Sequence, residues 1–183
     1  MSGAVEPGPD VSARLAWPDD APAIARLQLA SWQQAYAEVI GADALATLDV
    51  AEIDRQWNRT IASPSEARLR VLVALERATL RGFTLVHPCF DPDADQVADG
   101  EIGEFVVDLA HREAGHGSRL VNAAVDTLKS DGFTRVVWWV DATDDALRAF
   151  VTESGWEPDG AHRELASETG AHVKQIRLHT SLA

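Results

Sequence analysis

The chain has 183 residues, of which 46% are hydrophobic and 25% are charged. This composition is typical of one globular domain with an ordinary buried core. Sixteen lysines and arginines against 29 aspartates and glutamates give a formal net charge of −13, and a field of that sign repels nucleic-acid phosphates and anionic membranes. We therefore expect neither a nucleic-acid nor a membrane partner.

The sequence also indicates where the protein resides. One cysteine, Cys89, excludes an intramolecular disulfide and fits a reducing compartment. The N-terminal residues lack the basic and apolar segments of a secretory signal, and no apolar run approaches the ~18 residues of a membrane span. These features predict a cytoplasmic protein with a Pro/Gly-rich disordered leader over residues 1–11 and a single domain over residues 12–183.

The spacing of apolar residues predicts alternating strands and helices. Short apolar runs predict strands at residues 11–15, 71–75, 82–86, 102–107, 136–140 and 173–178. One-sided apolar faces predict helices over residues 18–36, 43–61, 115–130 and 143–155. Asp43 is the expected N-terminal cap of the second helix. The order predicts an α/β fold around one mixed sheet, in which residues 102–140 form a right-handed parallel crossover.

The segment over residues 112–118, Arg-Glu-Ala-Gly-His-Gly-Ser, connects a predicted strand to a predicted helix. Glycines allow a tight turn and close approach to a ligand, and the start of a helix presents unpaired N–H groups that suit phosphate oxygens. Arg112 and Arg119 add positive charge at the same end. A plain strand-to-helix turn explains the same residues, so that alternative stays open.

Two other phosphate-binding motifs fit this segment poorly. In the dinucleotide-binding fingerprint, Leu120 stands where the third glycine belongs, and the stretch from Val107 to Gly115 is too long. A Walker phosphate loop needs a Lys-Ser/Thr pair after its glycines, and none follows here. A dinucleotide-binding protein is therefore a disfavoured alternative.

Residues 112–117 satisfy the Arg/Gln-x-x-Gly-x-Gly/Ala signature of the GNAT superfamily of N-acetyltransferases. The chain resembles this superfamily from about residue 11 to residue 182, including the stretches 18–21, 30–36 and 150–156. The resemblance implies an α/β (α+β) fold with a GNAT-like mixed central sheet of about six to seven strands and about four flanking helices. It also implies that acetyl-CoA is the co-substrate, that an acetyl group passes directly to a small-molecule or peptide amine in a ternary complex, and that the chain forms a homodimer.

The resemblance assigns most cofactor contacts to backbone groups. The pyrophosphate is expected on the loop residues Arg112, Glu113, Ala114, Gly115, His116, Gly117 and Ser118. The pantetheine is expected to run along Phe105, Val106 and Val107, where a bulge splays the strand from its neighbour. The backbone N–H of Val106 or Val107 then polarises the thioester carbonyl, and Val107 is our candidate for this catalytic role.

The acceptor amine must lose a proton, and two glutamates are candidates for the base. Glu101 lies near the position of the base glutamate in histone-modifying members, whereas strict alternation places its rival, Glu104, on the other face of the sheet. Glu101 is equally explained as the solvated start of a strand. Trp32, Tyr36 and Glu104 are predicted to border the acceptor.

Two positions depart from the pattern of many members. Val151 stands after Phe150, where a tyrosine often protonates the leaving thiolate, and Asp144 stands where an asparagine often contacts the pantetheine. Asp144 and Phe150 are still expected beside the cofactor. A free thiol has a pKa near ~8.5, so the thiolate of CoA is able to leave without a donor. These departures keep open a non-catalytic CoA-binding regulatory or interaction domain.

The remaining polar clusters suggest no further chemistry. The six histidines lack metal-ligand spacing, so no metal site is expected. The acidic loop over residues 91–100 departs from a calcium loop at Gln96 and Ile102, and is interpreted as solvated. Cys89 is expected in the core, and Trp138 and Trp139 are expected to pack within the sheet.

Overall fold

The computed structural model describes residues 11–167 and 170–182, and in them the chain forms a seven-stranded sheet and six α-helices. The strands are β1 (Val11–Leu15), β2 (Arg70–Glu76), β3 (Thr79–Pro88), β4 (Asp99–Val107), β5 (Arg135–Asp141), β6 (Glu157–Ala166) and β7 (His172–Ser181). The helices are α1 (Ala21–Ala35), α2 (Ala37–Ile40), α3 (Ala42–Ala46), α4 (Val50–Ala62), α5 (His116–Ser130) and α6 (Asp145–Glu153). The predicted α/β (α+β) class with a mixed central sheet is confirmed. Of the predicted leader, residues 1–10 lie outside the described residues.

The strands are arranged in the order β1-β2-β3-β4-β5-β7-β6. Neighbours are antiparallel except for β4 and β5, which are parallel and joined by α5. The predicted parallel crossover is therefore confirmed. No helix within the described parts of the chain is both long and apolar enough to cross a lipid bilayer.

The second predicted helix is interrupted. The five-residue α3 begins after Gly41, whose φ is +93°, and ends at Ala46, so residues 47–49 separate it from the next helix. The longer helix, α4, begins only after Asp49, whose carboxylate accepts a hydrogen bond from the N–H of Ala51 at 2.9 Å. The cap is therefore Asp49, and the prediction of Asp43 as the cap was wrong.

Helices cover both faces of the sheet. On one face, α5 buries Leu120, Ala124 and Leu128 in a cluster that also contains Trp138. On the opposite face, α1 and α4 pack against β2 and β3, and the ring of Trp57 meets Phe83 edge-on at 5.1 Å. In β5, Val136, Trp138 and Val140 face α5 within the first of these clusters, and Val137 is buried on the other side of the strand.

One edge strand, β6, was missed by the sequence analysis. Its residues are mostly exposed or half-buried, and none is fully buried, so its apolar pattern is weak. Pairing with β7 compensates for this, because it satisfies backbone groups of β6 at residues 157–158 and 162–166, on both sides of an irregularity between Pro158 and His162. The β2–β3 hairpin is also tighter than the six-residue connection predicted: its turn contains residues 77 and 78, and Arg77 has a φ of +56°.

The two central strands separate halfway along their length. β4 pairs with β5 only from Asp99↔Arg135 to Ile102↔Trp138, although both strands continue further. Directly after Ile102 the register of β4 against β3 shifts by one residue, because Val86 pairs with Ile102 but Thr84 pairs with Phe105, so β4 contains the bulge that was predicted. The separation opens a gap through the middle of the sheet.

Candidate active site

A cavity of about 1110 Å³ occupies the gap between β4 and β5. It extends from the glycine loop before α5 to the C-terminal end of α1 and the β6–β7 hairpin. Most of the predicted site residues line it, namely Trp32, Tyr36, Glu101, Glu104, Phe105, Val106, Val107, Arg112, Glu113, Gly115, Gly117, Ser118, Asp144 and Phe150. Ala114 and His116 do not line it.

The glycine loop ends one side of the cavity. Glu113 has a φ of +65° and Gly115 a φ of +82°, and these two turns bring the chain from β4 into α5. Arg119 is the first residue of α5 whose N–H reaches a helical acceptor, the carbonyl of Gly115 at 3.2 Å. The N–H groups of residues 116–118 therefore have no acceptor within the helix and form a donor cluster that suits an anion.

The loop also has room for a ligand. A Cβ built on Gly117 would lie 3.8 Å from Val107 and 3.9 Å from both Phe105 and Phe150, each of which lines the cavity. A larger side chain would therefore extend into space that is now open. Free N–H donors beside an open, partly apolar cleft fit a phosphate group followed by a flexible chain.

The backbone of β4 supplies a further donor. The N–H of Asp108 donates to the carbonyl of Arg81 in the adjoining chain segment at 2.7 Å. Because N–H directions alternate along a strand, the N–H of Val107 points away from β3 and towards the gap, while that of Val106 points towards β3. Of the two residues considered from sequence, Val107 has the orientation needed to reach a ligand in the gap.

Glu101 and Glu104 both face the cavity, which corrects the prediction that they lie on opposite faces. The prediction assumed strict alternation, but the bulge adds one residue to β4 between Ile102 and Phe105 and so reverses the alternation after it. Burial raises the pKa of both carboxyl groups above the ordinary value for glutamate.

The two glutamates differ in their partners. Glu104 is hydrogen-bonded by the side chain of Gln28, and Gln28 accepts a hydrogen bond from the Trp57 indole at 2.7 Å in the core. Glu101 instead lies among His87, Asp91, Arg163 and the thiol of Cys89. Glu104 is thus held by a structural network, and Glu101 is the better placed of the two to exchange a proton with a ligand.

Tyr36 joins α1 to the far side of the gap. Its hydroxyl donates a hydrogen bond to the Oδ2 of Asp141 at 3.1 Å. Burial, together with the charge of Asp141, raises the pKa of the Tyr36 hydroxyl well above its usual value. A hydroxyl with a raised pKa releases its proton reluctantly, so Tyr36 is poorly suited to replace the missing proton donor.

The two positions that depart from the family pattern have structural roles. The side chain of Asp144 caps α6 by accepting a hydrogen bond from the N–H of Leu147 at 3.0 Å. Val151 is 1% exposed and packs in the cluster beneath α5, whereas Phe150 beside it lines the cavity. A side chain at position 151 therefore points into the core and away from the reacting groups.

His116 is also directed into the protein. Its ring is 1% exposed, and within the described residues neither ring nitrogen has a hydrogen-bond partner. Burial lowers the pKa of His116, which favours the neutral ring. The contribution of His116 to the loop is therefore its backbone N–H and its packing.

Sequence reasoning missed part of the cavity wall. Trp139, expected to pack within the sheet, lines the cavity, as do Arg163 and Gln175. Trp138 and Trp139 alternate across β5, so only the first enters the core. That alternation was readable from the sequence, whereas Arg163 lies in the missed strand β6 and carries no motif.

The acidic loop is partly anchored, which corrects its interpretation as solvated. Asp91 and Asp93 form ion pairs with Arg177 at 2.9 and 2.6 Å, and this bonding lowers the pKa of Asp93 to about 2. Cys89 is fully buried, as predicted, and its burial raises the pKa of the thiol to about 12. Within residues 11–167 and 170–182, no group of three acidic, histidine or cysteine side chains is arranged to hold a metal ion.

The parallel strands β4 and β5 separate beside the glycine loop, within the sheet order given above. This arrangement is that of an N-acetyltransferase fold, and solved structures share it. The N-acetyltransferase from Staphylococcus aureus Mu50 is 16% identical and superposes with a TM-score of 0.75, covering 95% of this chain and 99% of its own. The protein yncA from Salmonella typhimurium, solved with its cofactor acetyl-CoA, is 17% identical with a TM-score of 0.71, and 94% of each chain is covered. The ribosomal-protein-alanine N-acetyltransferase from Brucella melitensis is 19% identical with a TM-score of 0.71, covering 92% of this chain and 98% of its own.

The sequence identifies the family itself. Residues 26–156, more than half of the chain, match the model of the Acetyltransferase (GNAT) family. The chain therefore belongs to the GNAT acetyltransferase family, which uses acetyl-CoA. No curated protein sequence gives a significant match to the chain.

Proposed function

We propose that this protein is an acetyl-CoA-dependent N-acetyltransferase that transfers an acetyl group directly to the amine of a small molecule or peptide. The observation that carries the proposal is one continuous cavity, which joins the glycine loop to the half-buried carboxyl groups of Glu101 and Glu104 through the gap between β4 and β5. A donor cluster and a base at opposite ends of one cleft are what a two-substrate transfer requires.

Backbone groups of the chain bind and orient the acetyl donor. The N–H groups of residues 116–118 hold the pyrophosphate, with Arg112 beside them and Asp144 and Phe150 along the cleft. Phe105 and Val107 flank the pantetheine. When bound, acetyl-CoA supplies the acetyl group as an activated thioester.

The side chain of Glu101 serves as the base. It accepts the proton of the acceptor amine, directly or through a water, and partial burial gives its carboxyl a raised pKa that suits this exchange. The N–H of Val107 donates to the carbonyl oxygen of the acetyl group and stabilises the charge that develops there. The bond from nitrogen to the acetyl carbon forms while the bond from sulfur breaks, and the thiolate leaves without a donor from the chain.

A first experiment is calorimetric titration with acetyl-CoA, CoA and NAD, followed by measurement of CoA release with a panel of amines. We expect acetyl-CoA and CoA to bind, NAD not to bind, and CoA release to depend on an amine. No CoA binding would contradict the assignment of the glycine loop.

A second candidate function is a CoA-binding regulatory or interaction domain without catalysis. The buried Val151 and the capping role of Asp144 favour it, because neither residue is available for the reaction. The same experiment separates the two candidates: acetyl-CoA binding with no amine-dependent release from any tested amine would support the second.

A further inference from the structure

Three residues on neighbouring strands form a row beside the acceptor end of the cavity. Asp141 in β5 is opposite Gln175 in β7, and Gln175 is opposite Arg163 in β6. The amide of Gln175 donates to Asp141 at 2.8 Å and accepts from the Nε of Arg163 at 2.8 Å. Because the hydroxyl of Tyr36 donates to Asp141 as well, the row is a continuous chain of hydrogen bonds from α1 to β6.

This chain fixes the guanidinium of Arg163 at two points. Its Nε is bonded to Gln175, and its Cζ lies 4.3 Å from the centre of the Trp139 ring. The contact with the Trp139 ring and the hydrogen bond from Nε together fix the plane of the guanidinium. Its two terminal nitrogens are left as a fork, that is, as two donor groups that point side by side in one plane. Such a fork matches the two oxygens of a carboxylate.

The charge of Arg163 is not neutralised by a neighbouring acid in the part of the chain that the structure describes, where no carboxylate lies within 4.0 Å of it. Arg177 stacks on the same Trp139 ring at 5.5 Å but is paired with Asp91, Asp93 and Asp159. A positive charge held by a neutral amide retains its attraction for an anion. One that is bonded to three carboxylates does not.

Arg163 and Glu101 line the same cavity. They lie near enough for the guanidinium to oppose the rise in the pKa of Glu101 that burial causes, yet they form no ion pair. A ligand between them meets a carboxylate on one side and an uncompensated cation on the other. That arrangement is complementary to a molecule with an amine and a carboxylate a few bonds apart.

We propose that Arg163 binds the carboxylate of the acceptor, and that the acceptor is therefore an amino acid. The amine of the amino acid faces Glu101 while its carboxylate is held by the terminal nitrogens of Arg163. Asp141 and Gln175 are positioning residues that orient Arg163. This inference rests on the proposed function, because it names the acceptor class of the same reaction.

The test compares acceptors that differ only in the carboxylate. CoA release is measured for the twenty standard L-amino acids, β-alanine and 4-aminobutanoate, each against its matched carboxamide. We expect the best amino acid to exceed its amide in kcat/KM by about 10- to 100-fold, which is the range for losing a hydrogen bond to a charged group. Equal or faster turnover of the amides, or no turnover of any amino acid, would overturn the proposal.

Variants assign the effect to Arg163. Arg163→Gln should raise the KM for the best amino acid by about 10- to 100-fold with kcat changed much less, and Arg163→Lys should give a smaller rise because a lysine cannot form the fork. Arg59→Gln, at an exposed arginine on α4, is the control and should match the unmodified protein. An unchanged KM in Arg163→Gln would overturn the proposal.

The acetyl-CoA affinity of each variant is measured alongside. Arg163→Gln should bind acetyl-CoA as the unmodified protein does, which also establishes that the variant is folded. Failure of the unmodified protein to bind acetyl-CoA would overturn the proposed function and this inference with it. Binding and amine-dependent turnover without a preference for the carboxylate would overturn this inference alone.

Discussion

The two ends of the cavity are built from different parts of the chain. At the glycine-loop end the donors are backbone N–H groups of residues 116–118 and of Val107. At the acceptor end the chemistry comes from side chains such as Glu101 in β4, Tyr36 directly after α1, and Arg163 in β6. The first end therefore depends on conformation and open space, whereas the second depends on the identity of each side chain.

The same contrast is visible between two arginines on neighbouring strands. Arg177 is buried and forms ion pairs with three carboxylates, two in the acidic loop and one in β6. Its role is therefore to fix the acidic loop and β6 to β7. Arg163 lines the cavity and is bonded to an amide. Removing the first should affect stability, and removing the second should affect the acceptor.

The largest effect is expected from filling the glycine-loop end. Gly117→Trp places an indole in the open cleft between Val107, Phe105 and Phe150, so calorimetry should detect no acetyl-CoA binding. Gly117→Ala is the matched control, because its Cβ would have ordinary contacts of 3.8 Å or more. Circular dichroism should give the same folded signal for both variants. Retained affinity in Gly117→Trp would refute the position assigned to the cofactor.

Gly115 offers a less clear test of the same end. Its φ of +82° is strained for any L side chain, and a Cβ there would lie 2.9 Å from a terminal nitrogen of Arg119. A variant such as Gly115→Asp would change the loop conformation as well as the cleft. Loss of binding in that variant would not separate the two causes.

At the acceptor end, Glu101→Gln should lower kcat by about 100- to 10,000-fold, which is the usual contribution of a general base. Glu104→Gln is the matched control: it makes the same change on the same face, in a side chain already bonded to Gln28, and should lower kcat much less. Equal effects in the two variants would contradict the assignment of Glu101 as the base.

The pH dependence gives a second measure of Glu101. The base acts when deprotonated, and burial raises its pKa. The fall of kcat/KM in acid should therefore begin at a higher pH than for an ordinary glutamate, whose pKa is about 4.3. Glu101→Gln should remove that limb of the profile, and a profile that keeps it would identify another group as its source.

The sequence predicted these two ends unequally well. The glycine loop was found because a local motif determines its backbone, and the bulge in β4 was expected there too. The face of the sheet on which Glu104 lies was mispredicted, because the one extra residue of the β4 bulge reverses the alternation of the side chains after it. Arg163 and Gln175 were missed because they meet Asp141 only through strand pairing between distant parts of the chain.

The two arginines provide the next test. Arg177→Gln leaves Asp91 and Asp159 without their shared buried cation, so we expect the free energy of unfolding in urea to fall by about 3–5 kcal/mol. Arg163→Gln removes one bond to a neutral amide and should cost only about 0.5–1.5 kcal/mol. Equal losses would mean that both arginines are structural, and the distinction between the two regions would fail.

The smallest effect on activity is expected at Val151 and Phe150, two neighbouring residues of α6 of which the first lies in the core and the second lines the cavity. Val151 is 1% exposed in the cluster beneath α5, so the larger side chain of Val151→Tyr should lower the free energy of unfolding by about 1–3 kcal/mol through overpacking. The new hydroxyl points into the core, so kcat should not rise.

Phe150→Tyr is the matched variant: its ring already lines the cavity, so the hydroxyl enters the cleft with a smaller loss of stability. A higher kcat in Phe150→Tyr but not in Val151→Tyr would indicate that the reaction gains from a proton donor and that position 151 cannot provide one. A higher kcat in Val151→Tyr would contradict the inward orientation of residue 151. It would also indicate that a tyrosine at this position can protonate the leaving thiolate.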